Sequence, residues 1–523
     1  MSQSHTSQCA NSDRASRRAL EFPKVRKRDR GQVLLLAAMS MVVMIGFVAL
    51  ATDVGLLWNA RRQMQTATDA AAIAGISAFR SGANISSAAN NVASLNGFTN
   101  GTKGATVTVN NPPSSGLYSS NSNYVEVIIA QPEPTYFLRV LGYSSMNVKT
   151  RAVSGAINGP ACIYALDPSA SQAISFTGNI NITAQCGLID NSSSSTALYG
   201  SGNGTVTASS MGVAGNYSAS GNLRFAPTPQ INIAPAPDPL AARQGPTVVS
   251  ASAASVTNSG SYSASGNNEI VTIPPAVYGS GISITGNNAA VNFSGGTYGN
   301  NISISGNVAS ATFNPGQYQH TGTGDSIDIS GNAVTTFKPG AYTFLGALRI
   351  SGNNTVTLQP GSYFGGIAIT GNANVTFSPG TYILAGGGLS VTGNSTLTGT
   401  GVTFYDTAVS GYPYGPINLT GNETANLSAP TSGAMEGMLF FQDRTIASGS
   451  AASSVVGNSA TTFDGVLYFP TTALNFTGNS SGSGYTFLIA DTVTITGNAT
   501  LSLGNNYSSL TDGSPIQSSS LYE

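Results

Sequence analysis

A short phrase ending in Gly-Asn recurs through the second half of the chain and constrains its fold more than any other feature. From Asn287 it returns at steps of 20, 25, 21, 19, 22 and 28 residues. A period of about 20 residues is typical of one coil in a stacked repeat architecture. The asparagines that end the phrase are Asn287, Asn307, Asn332, Asn353, Asn372, Asn394 and Asn422.

A second phrase, Pro-Gly-x-Tyr, interleaves with the first. Each repeat can be parsed as strand, Gly-Asn turn, strand, Pro-Gly turn, strand, which predicts one coil of a parallel β-helix. In Ile282-Ser283-Ile284 the side chains alternate between two faces, so stacked coils bury aliphatic ladders and leave hydroxyls in water. Gly and Asn tolerate the sharp backbone turns between strands, and stacked asparagines can hydrogen-bond from coil to coil.

The repeat also places one tyrosine at the same position of successive coils. These residues could form an exposed stripe that stacks on sugars, or a structural column at the end of the core. The sequence favours the structural column without excluding the stripe. The tyrosines are Tyr278, Tyr298, Tyr318, Tyr342, Tyr363 and Tyr382.

The phrase is looser at both ends of a predicted β-helix-like domain over residues 158–510. Isolated Gly-Asn pairs occur before residue 225 and again after residue 456. A Pro-rich interruption at 224–247 predicts a loop or clamp rather than a strand. The apolar stretch 435–443 predicts a buried strand, and residues 511–523 form a C-terminal tail.

Charge is scarce, with 8% of residues charged and a formal net charge of −1. No global field therefore recruits nucleic acid. Apolar residues are 41% of the chain and alternate regularly, which argues against disorder.

An uncharged apolar stretch at 33–52 follows a basic tail at 1–30, which carries eight lysines and arginines. Twenty helical residues span about 30 Å, the thickness of a bilayer's hydrocarbon core. The basic tail predicts a cytoplasmic N-terminus and an extracytoplasmic bulk on the other side of the membrane. A cleaved signal peptide is the alternative, since Ala49-Leu50-Ala51 resembles a cleavage site.

Helical spacing continues beyond this stretch and predicts one transmembrane and juxtamembrane helix over 31–79. Alternating runs at 105–109, 124–130 and 146–153 then predict strands, with a short helix within 134–141. We therefore expect a small α+β unit at 80–157. The predicted fold is mainly β: an N-terminal transmembrane helix and an α+β unit, followed by a parallel β-helix-like repeat domain.

The N-terminal helix resembles the membrane segment of TadG-like proteins, which serve tight-adherence (Tad) pilus assembly. Four ordered patterns carry the resemblance: Arg-Gly-Gln-Val before the apolar span, Asp-Val-Gly, an Arg-Arg-Gln run, and Asp-Ala-Ala-x-x-Ala-Gly. It implies a single-pass protein of the bacterial inner membrane associated with other Tad pilus or secretion components, and it implies no catalytic residues. The residues involved are Gly31, Asp53, Gly55, Arg61, Gln63, Asp69, Ala70, Ala71 and Gly75.

Cys162 and Cys186 lie 24 residues apart, about one coil, so the sequence predicts a disulfide between adjacent coils outside the cytoplasm. Two buried thiols are the alternative. Residues 167–171 read Asp-Pro-Ser-Ala-Ser and match a metal-binding loop of the von Willebrand A-like fold, but the surrounding pattern favours a turn. We therefore expect no metal and no cofactor.

Parallel β-helices include enzymes that cleave polysaccharides, and their chemistry needs clustered carboxylates. Here the candidates are scattered, so the sequence favours a non-enzymatic structural component of a Tad/Flp-type pilus assembly, secretion or adherence system. A carbohydrate-binding or carbohydrate-cleaving surface adhesin is the alternative. The scattered candidates are Asp325, Asp328, Arg349, Asp406, Asp443, Arg444 and Asp464.

Overall fold

The computed structural model describes residues 30–80, 83–122, 124–158, 161–250, 252–255, 258–320, 324–457, 461–478, 480–481 and 485–521. The predicted basic tail therefore lies outside the described residues, apart from Arg30. Two compact units divide the chain, one containing residues 30–79 and 83–154 and the other residues 155–520. Each unit is described by itself below.

The first unit is built on one continuous helix, α1, over Arg30–Arg80. A second helix, α2, covers Ile85–Leu95, and its first turn is capped by Asn84, whose side chain accepts from the Ser87 N–H at 2.8 Å. The unit also contains strands Thr106–Asn110, Tyr124–Pro134 and Ser145–Asn158 and a 3-10 helix at Leu138–Leu141. The first two strands are antiparallel, with Thr106 opposite Ala130, and the second neighbours the third.

The second unit is a parallel β-solenoid of about 14 turns, as the repeat predicts. Most coils place one strand on each of three faces, which we call the first, second and third face in chain order within a repeat. Along the first face, in stacking order, lie Tyr262–Ala264, Ile282–Ile284, Ile302–Ile304, Asp325–Ile329, Ala347–Ile350, Ile367–Gly371, Leu389–Gly393, Ile417–Leu419, Ser453–Gly457, Leu474–Gly478, Val493–Leu503, Ile174–Ala184, Leu198–Thr207 and Tyr217–Ala226, with Ser480–Ser481 beside Val493–Leu503.

The second face is formed by Ile270–Ile273, Ala290–Phe293, Ser310–Phe313, Val334–Phe337, Thr355–Leu358, Asn374–Phe377, Thr396–Thr400 and Thr424–Ser428. The strand Thr462–Phe469 continues from this face into the third. The third face runs through Asn258–Ser259, Val277–Tyr278, Gly296–Gly299, Gly316–Gln319, Tyr342–Leu345, Gly361–Phe364, Gly380–Ala385, Val402–Thr407, Met438–Gln442, Thr462–Phe469, Thr486–Ala490, Ala161–Ala165, Gly187–Asp190, Met211–Val213 and Gln230–Ile231. The chain's last strand is Gln517–Leu521.

Like residues stack on like residues because neighbouring coils pair in register. Ile282 pairs with Ile302 on the first face, and both are buried while the serine between the isoleucines faces outward. On the second face the rings of Phe293 and Phe313 lie 4.3 Å apart, and those of Phe313 and Phe337 lie 4.6 Å apart. The hydrophobic core is therefore a set of continuous side-chain ladders.

Glycine is required where two coils approach backbone to backbone. Gly202 has φ +114°, and a Cβ built on it would lie 2.1 Å from the carbonyl oxygen of Gly178 in the neighbouring coil. No side chain fits at that distance, and the positive φ also disfavours other residues. The Gly-Asn pairs of these coils therefore lie inside continuous strands rather than at the sharp corners that the sequence suggested.

The order of the coils in space differs from their order in sequence. The strand Val493–Leu503 pairs in parallel with Ile174–Ala184, from Val493 opposite Ile174 to Leu503 opposite Ala184. On the third face Ala161–Ala165 lies between Thr486–Ala490 and Gly187–Asp190. The first coils in sequence thus extend the stack beyond its last coil in sequence.

This permuted order explains the Pro-rich interruption. The third face ends with Gln230–Ile231 at one end of the stack and Asn258–Ser259 at the other. The segment between them, described at residues 232–250 and 252–255, runs back along the outside of the third face, and we call it the strap. The structure differs from the predicted interruption at its start, since residues 224–226 finish a strand.

Replacing Phe313 by Ala should lower the free energy of unfolding of the solenoid by about 3–5 kcal/mol, because a fully buried ring in a continuous stack leaves a cavity. Guanidinium denaturation followed by circular dichroism measures this change. Ile270→Ala is the matched control, because Ile270 is 86% exposed at the end of the same face and should change the value by no more than about 0.5 kcal/mol. Equal effects of the two substitutions would contradict a stacked aromatic core.

Candidate functional site

The first part of α1 has the length and composition of a membrane span. Between Val33 and Phe79 the helix contains an 18-residue stretch with a mean hydropathy of 2.7, and none of that stretch is buried in the protein. Large side chains such as Leu34, Val42 and Phe47 are mostly exposed along its first half. The side chains of this half of α1 are therefore not buried in the protein core.

Asp53 follows the apolar stretch and binds a loop of the same unit. Its carboxylate accepts hydrogen bonds from the backbone N–H groups of Tyr136 at 3.0 Å, Phe137 at 2.8 Å and Leu138 at 2.6 Å. These N–H groups begin the 3-10 helix at Leu138–Leu141 and have no partner within it. Asp53 thus fixes the connection between the second and third strands to one level of α1.

The rest of the signature divides into an exposed part and a packed part. Gly55, Arg61 and Gln63 are exposed, and Gly31 lies in the first turn of α1. Asp69 accepts a hydrogen bond from Gln65 Nε2 at 2.7 Å, Ala70 is half-buried and Ala71 is fully buried. The small residues are required by close packing.

Gly75 shows how close that packing is. A Cβ built on Gly75 would lie 2.9 Å from Cγ1 of Val125 in the second strand, and 3.7 Å from the Cβ of Ala89 in α2. One turn of helix before Ala71, the hydroxyls of Thr68 and Thr150 lie 2.6 Å apart and join α1 to the third strand. The signature thus encodes a helix that packs against a sheet directly after its exposed apolar half.

A buried carboxylate in this sheet was missed by the sequence analysis. Glu126 accepts hydrogen bonds from Asn110 at 2.7 Å, from the backbone and side chain of Ser114, and from Arg151. Burial opposes its ionisation, but these donors outweigh it and lower the pKa of Glu126 to about 2. An isolated Glu in an alternating strand carries no signal of such partners.

Glu126→Gln should flatten the acid dependence of the first unit's stability. Because the folded protein lowers the pKa of Glu126 to about 2, the ionised carboxylate stabilises the fold at pH values above its unfolded-state pKa of 4.5. That stabilisation is lost as the pH falls toward 2. The variant should be less stable at pH 7 and change little between pH 4.5 and pH 2. Hydrogen exchange of the strand Tyr124–Pro134 at several pH values measures this, and a retained acid transition would contradict it.

On the solenoid, the strap is held to the third face by a cluster around Arg444. Its guanidinium donates to the carbonyl of Arg243 at 2.8 Å, to the carbonyl of Leu240, and to the hydroxyl of Tyr468 at 2.7 Å. That hydroxyl donates in turn to Asp238 at 2.6 Å. The guanidinium also lies over the rings of Phe441 and Tyr468, at 5.5 and 5.1 Å from their centroids.

Other contacts attach the strap along the length of the face, in the order of the coils. Asn191 exchanges two hydrogen bonds of 2.8 Å with the backbone of Ala236 near one end. Gln319 does the same with Ala254 near the other, at 3.0 and 3.1 Å. Between them Val248 packs on a buried outward-facing cluster of Leu345, Phe364 and Ala385. The strap therefore covers apolar side chains that the third face would otherwise expose.

Arg444→Ala should release the centre of the strap. Charge-assisted hydrogen bonds contribute about 1.5–3 kcal/mol each, so local opening should become at least about tenfold more frequent. Trypsin cleavage after Arg243 measures that opening. Arg349→Ala is the control, because Arg349 forms an exposed ion pair with Asp325 on the first face and an exposed pair contributes little. Unchanged cleavage in Arg444→Ala would show that the strap is held elsewhere.

The structure brings some of the residues considered as catalytic candidates together and leaves others apart. Asp443 accepts from Thr407 at 2.8 Å close to the Arg444 cluster. Asp406 is fully buried with no hydrogen-bond partner on either carboxyl oxygen among the described residues, and desolvation raises its pKa well above the usual range. Asp464 lies on the strand Thr462–Phe469, opposite Ser428.

Asp325, Asp328 and Arg349 meet on the outside of the first face. Arg349 Nε lies 2.9 Å from Asp325 Oδ2, and Asp328 pairs in register with Arg349. Burial and the nearby Asp325 raise the pKa of Asp328, while Arg349 opposes that change. The arrangement is an ion pair beside one additional carboxyl group.

The turn asparagines form ladders on the surface of the solenoid. Side-chain amides join Asn307 to Asn287 at 3.3 Å and Asn332 to Asn307 at 2.8 Å. A second ladder joins Asn353, Asn372 and Asn394. The backbone N–H of Asn422 donates to the carbonyl of Gly393 at 2.7 Å.

A further asparagine ladder crosses the junction of the permuted coils. It joins Asn498, Asn179, Asn203 and Asn222 in order, with amide contacts of 2.8, 3.0 and 3.1 Å. The sequence contains these Gly-Asn pairs, but nothing local indicates that Asn498 meets a residue 319 positions earlier in the chain.

The repeated tyrosines form a buried column, which contradicts an exposed sugar-stacking stripe. Tyr298 and Tyr318 stack 5.2 Å apart with ring planes 2° from parallel, and both are fully buried. Their hydroxyls each donate to the carbonyl four residues earlier, at the corner before the Pro-Gly turn or its equivalent. The phenol therefore satisfies a backbone carbonyl at each turn of the stack.

Cys162 and Cys186 form a disulfide between adjacent coils, with their Cα atoms 5.6 Å apart. Asp167 accepts hydrogen bonds from the backbone N–H groups of Ser169 and Ala170, both at 2.7 Å, which forms a turn. In the part of the chain that the structure describes, no group of three or more His, Cys, Asp or Glu side chains could hold a metal ion.

Comparison with known proteins gives a family match over the N-terminal helices. Residues 31–89 match the family described as Tad, putative Flp pilus-assembly TadE/G-like. The match covers α1 from its second residue and the first part of α2, and it leaves the solenoid outside. No curated protein and no solved structure matches the chain. The resemblance of the signature residues is thereby confirmed, and the N-terminal segment of this chain is similar to the TadE/G-like Flp pilus-assembly family.

Proposed function

We propose that this chain is a membrane-anchored structural component of a Tad/Flp-type pilus assembly, secretion or adherence system. The observation that carries the proposal is the family match over residues 31–89, a segment that contains both the apolar half of α1 and the residues that pack it onto the first unit. Other Tad pilus or secretion components are the partners that this family match favours.

The orientation that we propose follows from charge. Eight lysines and arginines precede residue 31, directly before the apolar stretch, and two arginines follow it at 61 and 62. A basic excess on one side favours the cytoplasm for that side. The N-terminus is then cytoplasmic, the lipid bilayer of the inner membrane surrounds residues 33–52, and the rest of the first unit and the solenoid lie outside the cytoplasm. A disulfide between coils is compatible with that compartment.

We propose a structural rather than a catalytic role for the solenoid. Its outward positions are mainly Ser, Thr and Asn, and the asparagine ladders and the strap reinforce the stack itself. The alternative, a carbohydrate-binding or carbohydrate-cleaving adhesin, is favoured only by Asp325, Asp328 and Arg349 on the outside of the first face. There Arg349 is already neutralised by Asp325, which leaves one carboxyl group for chemistry that needs two.

Removing residues 33–52 should release the protein from the membrane fraction and abolish pilus-dependent surface attachment in the bacterium that encodes it. Immunoblotting of fractions and an attachment assay measure the two effects. The control replaces residues 33–52 by an unrelated apolar span, which should restore membrane association. Attachment that persists with the released protein would contradict an anchored role. Release of oligosaccharides from polysaccharides by the purified protein would overturn the structural assignment in favour of the adhesin enzyme.

A further inference from the structure

The loop bound by Asp53 exposes an unusual set of apolar side chains. We call residues 135–146 the Asp53 loop. Val140 is 88% exposed and Leu141 is 72% exposed, and neither contributes to the buried core of the unit. A contiguous group of exposed apolar residues generally marks an interaction surface. The exposed members are Tyr136, Phe137, Val140, Leu141, Tyr143 and Met146.

The loop is ordered by its own hydrogen bonds. The N–H of Thr135 donates to the carbonyl of Ser144 at 3.2 Å, and the N–H of Tyr143 donates to that of Leu138 at 3.2 Å. Gly142 ends the 3-10 helix in the left-handed conformation, with φ +93°. The apolar side chains are therefore presented by a closed turn.

Asp53 also sets the level of the loop along α1. It is the first residue after the 33–52 stretch, whose 20 residues span about 30 Å as a helix. Because Asp53 binds the N–H groups of residues 136–138, the loop backbone lies level with the end of this stretch. The exposed apolar surface of α1 and that of the loop are thus adjacent.

The composition of the loop suits the boundary between lipid and water. Tyr136, Phe137 and Tyr143 are aromatic, and Trp58 is exposed on α1 one to two turns beyond Asp53. Tyr and Trp prefer the headgroup level of a bilayer. Arg139 is exposed within the loop and can reach lipid phosphates.

We propose that the Asp53 loop is a second membrane contact, which inserts its apolar side chains into the interfacial layer of the leaflet where α1 leaves the bilayer. The inference rests on the proposed membrane anchor. Lipid is the occupant that the geometry favours, because the loop continues the lipid-facing surface of the span at the level where that surface ends. A second copy of the chain or a protein partner is the alternative that the experiment below separates.

The test places an environment-sensitive fluorophore at one cysteine of the full-length protein, with Cys9→Ser as the background. The protein is reconstituted in vesicles of phosphatidylcholine and phosphatidylglycerol with or without a lipid that carries a nitroxide near its headgroup. Interfacial elements lie about 5–10 Å into the boundary between headgroups and acyl chains, so a probe at Val140→Cys should lose about half or more of its fluorescence to the nitroxide.

Two further labelling sites make the result decisive. Phe47→Cys lies within the span and should be quenched by a nitroxide deep in the acyl chains. Leu117→Cys is the matched control, because Leu117 is 82% exposed but lies in the connection before the strand Tyr124–Pro134. The Asp53 loop follows that strand, whose 11 residues extend about 35 Å. The probe at position 117 should keep its fluorescence.

Quenching at position 47 without quenching at position 140 would overturn the loop proposal and leave the anchor intact. A lack of quenching at position 47 would overturn the anchor itself. Shielding of position 140 from aqueous iodide without quenching by lipid, if it fades as the protein is diluted in lipid, would overturn lipid as the occupant and assign the loop to contact with a second copy. Free access of iodide to position 140 without quenching by lipid would overturn the membrane contact and leave the loop open to a different protein partner.

Asp53→Asn tests whether the carboxylate positions the loop. The amide retains one acceptor oxygen for three N–H donors, so quenching at position 140 should fall by about half or more while quenching at position 47 stays unchanged. Asp53→Glu should restore part of the effect because it keeps both oxygens. If Asp53→Asn leaves quenching at position 140 unchanged, the positioning role of Asp53 is wrong.

Discussion

The solenoid depends on backbone hydrogen bonding between parallel strands of successive coils. A single coil of about 20 residues cannot bury its own apolar face, so each coil is stable only when its neighbours supply hydrogen bonds and a side-chain surface. In-register pairing then aligns equivalent positions, which stacks Phe on Phe and Tyr on Tyr. The asparagine ladders and the glycine contacts are further results of the same alignment.

The strap answers a second requirement of this architecture. A face that carries Leu345, Phe364 and Ala385 outward would expose apolar surface to water. The returning chain covers that surface while it connects the two ends of the stack. The strap therefore both connects the two ends of the stack and covers the third face. Arg444 holds the central part of the strap because all three nitrogens of its guanidinium donate hydrogen bonds.

Strands and corners could be predicted from the sequence because their signals are local. In three successive residues, the alternation of Ile with Ser indicates which side chains are buried. In the regular coils, Gly-Asn and Pro-Gly indicate the turns. The order of the coils could not be predicted, because pairing of Val493–Leu503 with Ile174–Ala184 joins residues more than 300 positions apart. The helix Ile85–Leu95 was missed because Ser and Asn are weak helix formers away from a cap. Asp53 was recognised as part of a signature, but its partners at residues 136–138 lie more than 80 residues away.

The permuted stack has a consequence for biogenesis. The coils formed by residues 161–226 leave the ribosome early, yet they pair with Thr486–Ala490 and Val493–Leu503, which are made after the other coils. The edge of the early coils that pairs with these strands stays unpaired until they are made. The two groups of coils can therefore join into one stack only after these late strands have been made.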